Sequence, residues 1–272
     1  MDTGLTDRPV LVTGATANIG RAIAMAFAGE GAKVAVVGRD ATAGRVVVDR
    51  ALEAGAADAV FIAADVTDYD QVRAMAEAAL NRFGHLDVLV NNVGGNVDVG
   101  PFAGSEPAQW RADIDITLMS VLNCTRVFLP GMIARQWGRV INIGSMSGVV
   151  GDPYLAIYSA AKAGVHGFTR VLSVEVGPAN VTVNAIAPYA TGPDDPDEPM
   201  SLGSRSHPTR GVFRTLPPDK AALLGSIFAE GVLPQKRAKG SQVGASAVFL
   251  ASEAAGYITG ETLHVDGGVR WA

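Results

Sequence analysis

The chain has one cysteine, Cys124, in 272 residues. No disulfide can close within it, which fits a reducing compartment, and a cytoplasmic location is expected. Histidine is scarce too. His85, His166, His207 and His264 stand far apart, no pair has metal-ligand spacing, and no metal site is expected. Basic charge is not in excess: 22 Lys and Arg face 27 Asp and Glu, for a net charge of −5. That balance argues against a nucleic-acid partner, which would call for a basic footprint. No apolar run approaches the ~18 residues of a membrane span, so no membrane partner is expected. Residues Met1 to Val10 lack a basic stretch followed by an apolar one, so no signal peptide is expected.

What is present is the composition of an ordinary folded chain, 48% hydrophobic and 18% charged. The length suggests one or two domains and removes about three quarters of the unfolded surface from water. Glycine is abundant at 32 residues, against a usual share of about 7%. Extra glycine points to tight turns or to backbone lying close to a ligand.

Strand and helix patterns alternate throughout. Strands are predicted at 9–13, 33–37, 59–63, 86–91, 139–143, 181–186 and 262–265. Helices are predicted at 19–30, 42–53, 69–83, 106–135, 155–176, 219–230 and 242–251. Such alternation implies βαβ units and a mostly parallel sheet covered on both faces. The fold class is therefore α/β, a single doubly wound domain over 1–272 with a seven-stranded sheet. One segment breaks the rhythm: residues 193–234 carry 7 of the 14 prolines. A loop that long is commonly a functional lid, and the lid is expected at about 189–237.

The first βα turn reads Thr13-Gly14-Ala15-Thr16-Ala17-Asn18-Ile19-Gly20. A strand leads in and a helix leads out, so free N–H groups and the positive helix end face an anion such as a pyrophosphate. Gly14 allows the turn and Gly20 allows close helix packing. Asn18 stands where a third glycine is expected, and Asn tolerates φ > 0. By itself such a turn is also compatible with a plain tight connection. The second strand ends Val37-Gly38-Arg39-Asp40. An acid at the strand end would bind the ribose diol of NAD, but that place is Gly38, and the Arg39 guanidinium suits a phosphate. NADP(H) is therefore favoured over NAD(H). In the competing reading Arg39 is a solvated loop residue and Asp40 takes the ribose. Asp65 and Val66, past the third strand, are assigned to the adenine edge, and Asn91-Asn92-Val93-Gly94 ends the fourth.

Tyr158 and Lys162, four residues apart in a predicted helix, share one face, and Ser145 precedes Tyr158 by 13 residues. Gly14, Asn91 and Ser145 all follow strands, where ligands of open α/β sheets bind. Ketone reduction needs a proton donor beside the carbonyl oxygen. A phenol titrates near ~10, and a nearby ammonium lowers that value. Tyr158 then acts as general acid or base, Ser145 hydrogen-bonds the carbonyl oxygen, and Lys162 also holds the nicotinamide ribose.

Taken together, Thr13-Gly14…Gly20, Asn91-Asn92-Val93-Gly94, Ser145, Tyr158, Lys162, Asn184-Ala185-Ile186-Ala187-Pro188 and Val265-Asp266-Gly267-Gly268 resemble a short-chain dehydrogenase/reductase. The resemblance spans essentially the whole chain. It implies a Rossmann-like domain, usually a homotetramer (or homodimer), with Pro188 and Tyr189 beside the coenzyme and Ile186 behind the nicotinamide carboxamide. Three positions depart from the family's pattern. Asn18 replaces the middle glycine. Thr117 stands where the family has an Asn that orders a water linking the Lys to solvent, and it takes the fourth catalytic place. Tyr189 replaces the glycine of a Pro-Gly pair, so it must turn away from the coenzyme or reshape the pocket roof.

Pocket walls are expected from 95–102, Met146-Ser147, 153–155, Tyr189 and the lid. Met146, Tyr154, Tyr158, Tyr189 and Ser145 are the substrate-binding candidates, with Phe102 and Leu155 adding apolar surface. They suit a medium-sized hydrophobic or cyclic alcohol or ketone. Lid charges Asp194, Asp195, Asp197 and Glu198 precede Arg205, His207, Arg210 and Arg214; they are read as solvated or paired with each other. Three other functions stay open. A 3-oxoacyl-thioester reductase needs a basic docking patch. A catalytically impaired coenzyme sensor would fit Thr117 and Tyr189. A reductase of activated double bonds usually spaces its Tyr and Lys further apart.

Overall fold

Strand β1 (Pro9–Thr13) sends Val10 and Val12 into one apolar cluster and Leu11 into another. A strand apolar on both faces must be covered on both, and the remaining strands repeat the pattern. They are β2 (Lys33–Gly38), β3 (Asp58–Ala63), β4 (Val88–Asn91), β5 (Gly138–Ile143), β6 (Val181–Pro188) and β7 (Thr262–Val265). In the computed structural model they form one sheet in the order β3-β2-β1-β4-β5-β6-β7, every neighbouring pair parallel. The structure describes residues 2–195 and 237–269 without interruption and, between them, 201, 204, 207, 209, 211, 216–227 and 232–235.

Helices α1 (Asn18–Gly29), α2 (Ala41–Glu53) and, near the end of the chain, α8 (Gly240–Ala251) cover the first face. There Ile23, Phe27, Val47 and Val243 meet Val10, Val34, Val90 and Ile141. On the opposite face lie α3 (Tyr69–Phe83), α4 (Pro107–Ile114), α5 (Ser120–Arg135) and α6 (Ala156–Val176). Met75, Phe128, Met132 and Leu172 there meet Leu11, Leu89 and Val140. Burying one such side chain fully is worth roughly 1.5–3 kcal/mol. The predicted helix at 219–230 is observed as α7 (Pro218–Ile227), and residues 228–230 lie outside the described residues.

Several element ends shift by one or two residues, and two departures from the sequence reading stand out. The fourth strand begins at Val88 rather than at residue 86. Just before it, the Asp87 backbone still bonds to Pro9 and Arg139, while its buried carboxylate gathers Arg8 at 3.1 Å, His85 at 3.4 Å and Arg135 at 3.5 Å. The long predicted helix is interrupted by a π-helical turn at Asp115–Met119, where the Ser120 N–H reaches back five residues to the Asp115 carbonyl. Turns of this kind are frequent at functional sites. By length and composition alone the run Pro107–Arg135 would also suffice to cross a membrane. Its apolar side packs on the sheet through Cys124, Phe128 and Met132.

The order of the strands decides where ligands bind. From β1 the chain winds outward to β2 and β3, then returns to place β4 on the other side of β1. The crevice beyond the carboxyl ends of β1 and β4 is the switch point of such a sheet.

Candidate active site

The turn after β1 has Gly14 at φ +64° and Asn18 at φ +51°, both left-handed. Asn18 therefore holds the conformation a glycine would supply. A Cβ at Gly20 would lie 2.3 Å from the Gly14 carbonyl oxygen, so the helix start fits against the turn only without a side chain. Ile19 packs on the core and Thr16 is buried. Helices α2 and α3 are capped by the Asp40 and Asp68 carboxylates, whereas Ala17 caps α1 with no side-chain hydrogen bond. The first-turn N–H groups of α1 are thus left to an anion. Asn92 ties the turn to β4: its Nδ2 donates to the carbonyls of Thr13 at 2.8 Å and Gly14 at 3.3 Å.

A Cβ at Gly38 would lie 2.6 Å from Thr16 Cγ2, so this strand end has no room for an acidic side chain. The exposed Arg39 guanidinium stands 3.5 Å from the Asp65 carboxylate. The Asp40 carboxylate accepts the Ala43 N–H at 3.0 Å. Asp65 accepts both the backbone N–H and the hydroxyl of Thr67, at 3.0 and 2.8 Å. Burial raises its pKa, but the Thr67 hydrogen bonds and the Arg39 charge outweigh that and hold the carboxyl below its ordinary value. Val66 is buried in the second core.

Beyond β5 the chemical groups meet. Lys162 Nζ is buried and donates to the Ile143 carbonyl at 2.6 Å, and it lies 5.9 Å from the Tyr158 ring centre. Burial pushes the Lys162 ammonium down to about 8. Gly94 makes this possible, because a Cβ there would come within 2.8 Å of Nζ. Thr117, fully buried in the π-helical turn, donates to the Gly95 carbonyl at 2.9 Å and accepts the Gly95 N–H at 3.2 Å. Its hydroxyl therefore holds the loop that lies on Lys162.

Sequence reasoning missed His166 and Asp152, and places Ser147 only among the pocket walls. His166 is buried; its Nε2 lies 3.1 Å from the Ser145 carbonyl oxygen and its Nδ1 3.2 Å from Thr262 Oγ1. A neutral ring with the proton on Nε2 donates to Ser145 and accepts from Thr262, pinning the Ser145 turn between α6 and β7. Burial pushes its pKa down, despite the opposing hydrogen bond to Ser145. Residues 158, 162 and 166 recur at i, i+4 and i+8; that helical period is the signal the sequence offers. Ser147 and Asp152 join Ser145 through hydroxyl contacts.

The substrate candidates fall into two groups. Met146 and Tyr189 are buried against each other with Val269. Tyr189, paired through its backbone N–H to the Val265 carbonyl, thus packs into the roof beside Pro188, the last residue of β6. Tyr154, at φ +68°, packs with Val99, Leu155, Tyr158 and Leu216. Phe102 stacks on Trp110 at 5.1 Å and is exposed. Lys220 of α7 reaches Asp98 at 2.5 and 2.7 Å, tying that helix to the loop after β4. Asp194 is exposed, in keeping with a solvated lid acid. It accepts the Ser241 N–H at 2.9 Å and the Ser241 hydroxyl at the start of α8, where free helix donors attract a carboxylate. Asp197, Glu198, Arg205, Arg210 and Arg214 lie outside the described residues.

A helix start left open for an anion after β1, with a hydroxyl, a phenol and a buried ammonium beyond β5, is the equipment of an NAD(P)-dependent oxidoreductase. The profile described as short chain dehydrogenase matches residues 8–196, and the chain belongs to that family. A second profile, described as Enoyl-(Acyl carrier protein) reductase, matches 220–270, a stretch that holds none of Ser145, Tyr158 and Lys162. The chain is 36% identical to a 3-oxoacyl-[acyl-carrier-protein] reductase of Synechocystis sp. over 98% of both chains. It is 37% identical to the cis-4-hydroxycyclohexanecarboxylate dehydrogenase of Sinomonas cyclohexanicum, again over 98% of both. Nodulation protein G of Azospirillum brasilense is 35% identical over 98% of this chain and all of that one.

Proposed function

We propose that the chain interconverts a secondary alcohol and a ketone of medium size, hydrophobic or cyclic, with Tyr158 as general acid and base. The observation that carries this reading is the buried Lys162 ammonium beside the Tyr158 ring, on the helix face behind Ser145. When bound, the coenzyme supplies or accepts the hydride. Tyr158 gives its phenolic proton to the carbonyl oxygen in reduction and takes the alcohol proton in oxidation. Lys162 favours the phenolate, and Ser145 hydrogen-bonds the oxygen as charge develops on it. Thr117 acts through Gly95, keeping the loop on Lys162 in place.

Thr16, Asn18, Ile19, Gly20, Asn92 and Gly94 would cradle the coenzyme, with Pro188 and Tyr189 above it. NADP(H) is preferred, because Gly38 leaves no place for an acid and Arg39 is exposed there. Asp65 and Val66 take the adenine side. The apolar wall of Tyr154, Leu155 and Val99 supports a hydrophobic substrate, and the relative named for a hydroxycyclohexanecarboxylate supports a cyclic one. A substrate lid at about 189–237 belongs to this reading, and the pairing of Lys220 of α7 with Asp98 supports it. A cytoplasmic homotetramer or homodimer completes the reading.

A second reading, reduction of a 3-oxoacyl thioester, is favoured by the relative that carries that name. One experiment separates the two. Coenzyme absorbance is followed with a panel of cyclic ketones and with a 3-oxoacyl thioester, with both NADPH and NADH, for wild type and Tyr158→Phe. Turnover of cyclic ketones with a lower KM for NADPH supports the first reading. Turnover confined to the thioester supports the second, and equal use of the two coenzymes removes the role given to Arg39.

A further inference from the structure

Ser145 is the first member of a hydrogen-bonded chain that leads through Ser147 to Asp152. Its Oγ lies 2.9 Å from Ser147 Oγ and accepts the Ser147 backbone N–H at 3.1 Å. Ser147 Oγ in turn makes a short hydrogen bond to Asp152 Oδ2. Asp152 is held from the other side, where its backbone N–H donates to Ser159 Oγ at 3.2 Å, one residue past Tyr158. Its second oxygen, Oδ1, is buried and has no hydrogen-bond partner among the described residues.

Three oxygens joined by two hydrogen bonds hold one proton in each link. The carboxyl decides which way those protons point. Ionised Asp152 only accepts. Ser147 must then donate to Asp152, Ser145 must donate to Ser147, and Ser145 offers the pocket no proton. A protonated Asp152 donates to Ser147, and Ser147 donates to Ser145. The Ser145 proton is then free for a substrate oxygen. One added proton on the carboxyl reverses the chain, and no bond to carbon changes.

We propose that Asp152 is a positioning residue that, through Ser147, sets the direction of the Ser145 hydroxyl, its protonated form turning that hydroxyl toward the substrate oxygen. The proposal rests on the Ser145–Tyr158–Lys162 reading above. Burial pushes the Asp152 carboxyl up from its ordinary value, and the Ser147 hydrogen bond only partly offsets this. Among the described residues no charged neighbour contributes to that shift. The titratable groups on the surrounding elements are Tyr154 in the loop before α6, Tyr158, Lys162 and His166 on α6, and Tyr189 after β6. His264 on β7 acts on His166. Of these, His166 also reaches Ser145, through the Ser145 carbonyl, and serves as the control.

The test is the pH profile of kcat for ketone reduction at saturating coenzyme. It compares wild type with Asp152→Asn, Ser147→Ala, His166→Gln and Tyr158→Phe. Wild type is expected to lose rate as pH rises through the Asp152 titration, in a limb separate from the Lys162 limb at about 8. Asp152→Asn carries a permanent donor toward Ser147, so that limb disappears and kcat at neutral pH rises severalfold. Ser147→Ala breaks the chain: Ser145 is uncoupled from the carboxyl and the limb disappears, with the KM for coenzyme unchanged. His166→Gln keeps the limb. The proposal is overturned by a wild-type profile without the limb, or by a limb that persists in Asp152→Asn or Ser147→Ala or vanishes in His166→Gln. A fully active Tyr158→Phe brings down the underlying reading instead; an inactive Tyr158→Phe with an unaltered Asp152→Asn profile brings down the relay alone. Should Ser147→Ala not fold, the Asp152→Asn profile decides.

Discussion

Lys162 of α6 donates its ammonium to the carbonyl of Ile143, the last residue of β5, at 2.6 Å. This bond crosses from helix to sheet at the strand end that precedes Ser145, so it fixes the ammonium relative to both Ser145 and Tyr158. A charge in so buried a place is costly, and the cost appears in its titration.

Because burial brings Lys162 down to about 8, the ammonium is present below that pH and lost above it. The kcat/KM for reduction, which reports the free enzyme, is expected to turn down above about pH 8. Lys162→Met is expected to show a rate lower by about 10²-fold or more and no such limb. A wild-type profile that stays flat to pH 10 would remove the role given to the ammonium.

Tyr158→Phe deletes only the hydroxyl, and the ring keeps its packing against Val99, Leu155 and Leu216. The expected result is a kcat lower by about 10²–10⁴-fold, the usual value of general acid–base catalysis. Thermal unfolding followed by circular dichroism should show an unchanged midpoint.

Gly94→Ala and Gly20→Ala test two close approaches with different outcomes. At Gly94 the new methyl meets the movable end of Lys162, so the fold survives while the ammonium shifts. The expected loss in kcat is about 10²-fold, as for a misplacement of about 1 Å. At Gly20 the methyl meets the Gly14 backbone at 2.3 Å. The turn itself must open there, so KM for coenzyme and the unfolding midpoint are both expected to worsen.

His166 gives a pH dependence of stability. Its folded pKa lies below the unfolded value, because the buried ring disfavours charge. The unfolded chain therefore binds the extra proton first. The contribution of this group is full above the unfolded pKa of about 6.5 and is lost as pH falls toward its folded pKa. Unfolding midpoints from pH 8 down to 5 should fall more steeply for wild type than for His166→Gln, which retains a donor for the Ser145 carbonyl.

Local rules reach far in this chain. The alternation of apolar strands such as Val34–Val37 with amphipathic helices specifies a covered parallel sheet, because each strand must bury both faces. The turn from Gly14 to Gly20 and the Tyr158–Lys162 spacing are legible for the same reason: neighbours in sequence are neighbours in space on a helix or in a tight turn. The short-range exceptions are instructive. Tyr154 holds φ +68° and Asn18 φ +51°, and only for Asn18 does the side chain announce it.

Partnerships across the fold follow another logic. Nothing near Thr117 in the sequence says that it faces Gly95; the π-helical turn and the packing of α5 on β4 bring them together. Asp194 finds the start of α8 nearly fifty positions onward, and His166 finds Thr262 of β7. Such pairs arise when separate segments settle on a common core, where each buried polar group must take whatever partner the packing leaves within reach. Chain order thus prescribes the sheet, its turns and the helix face that bears the phenol. Which groups surround that phenol is a property of the assembled tertiary fold alone.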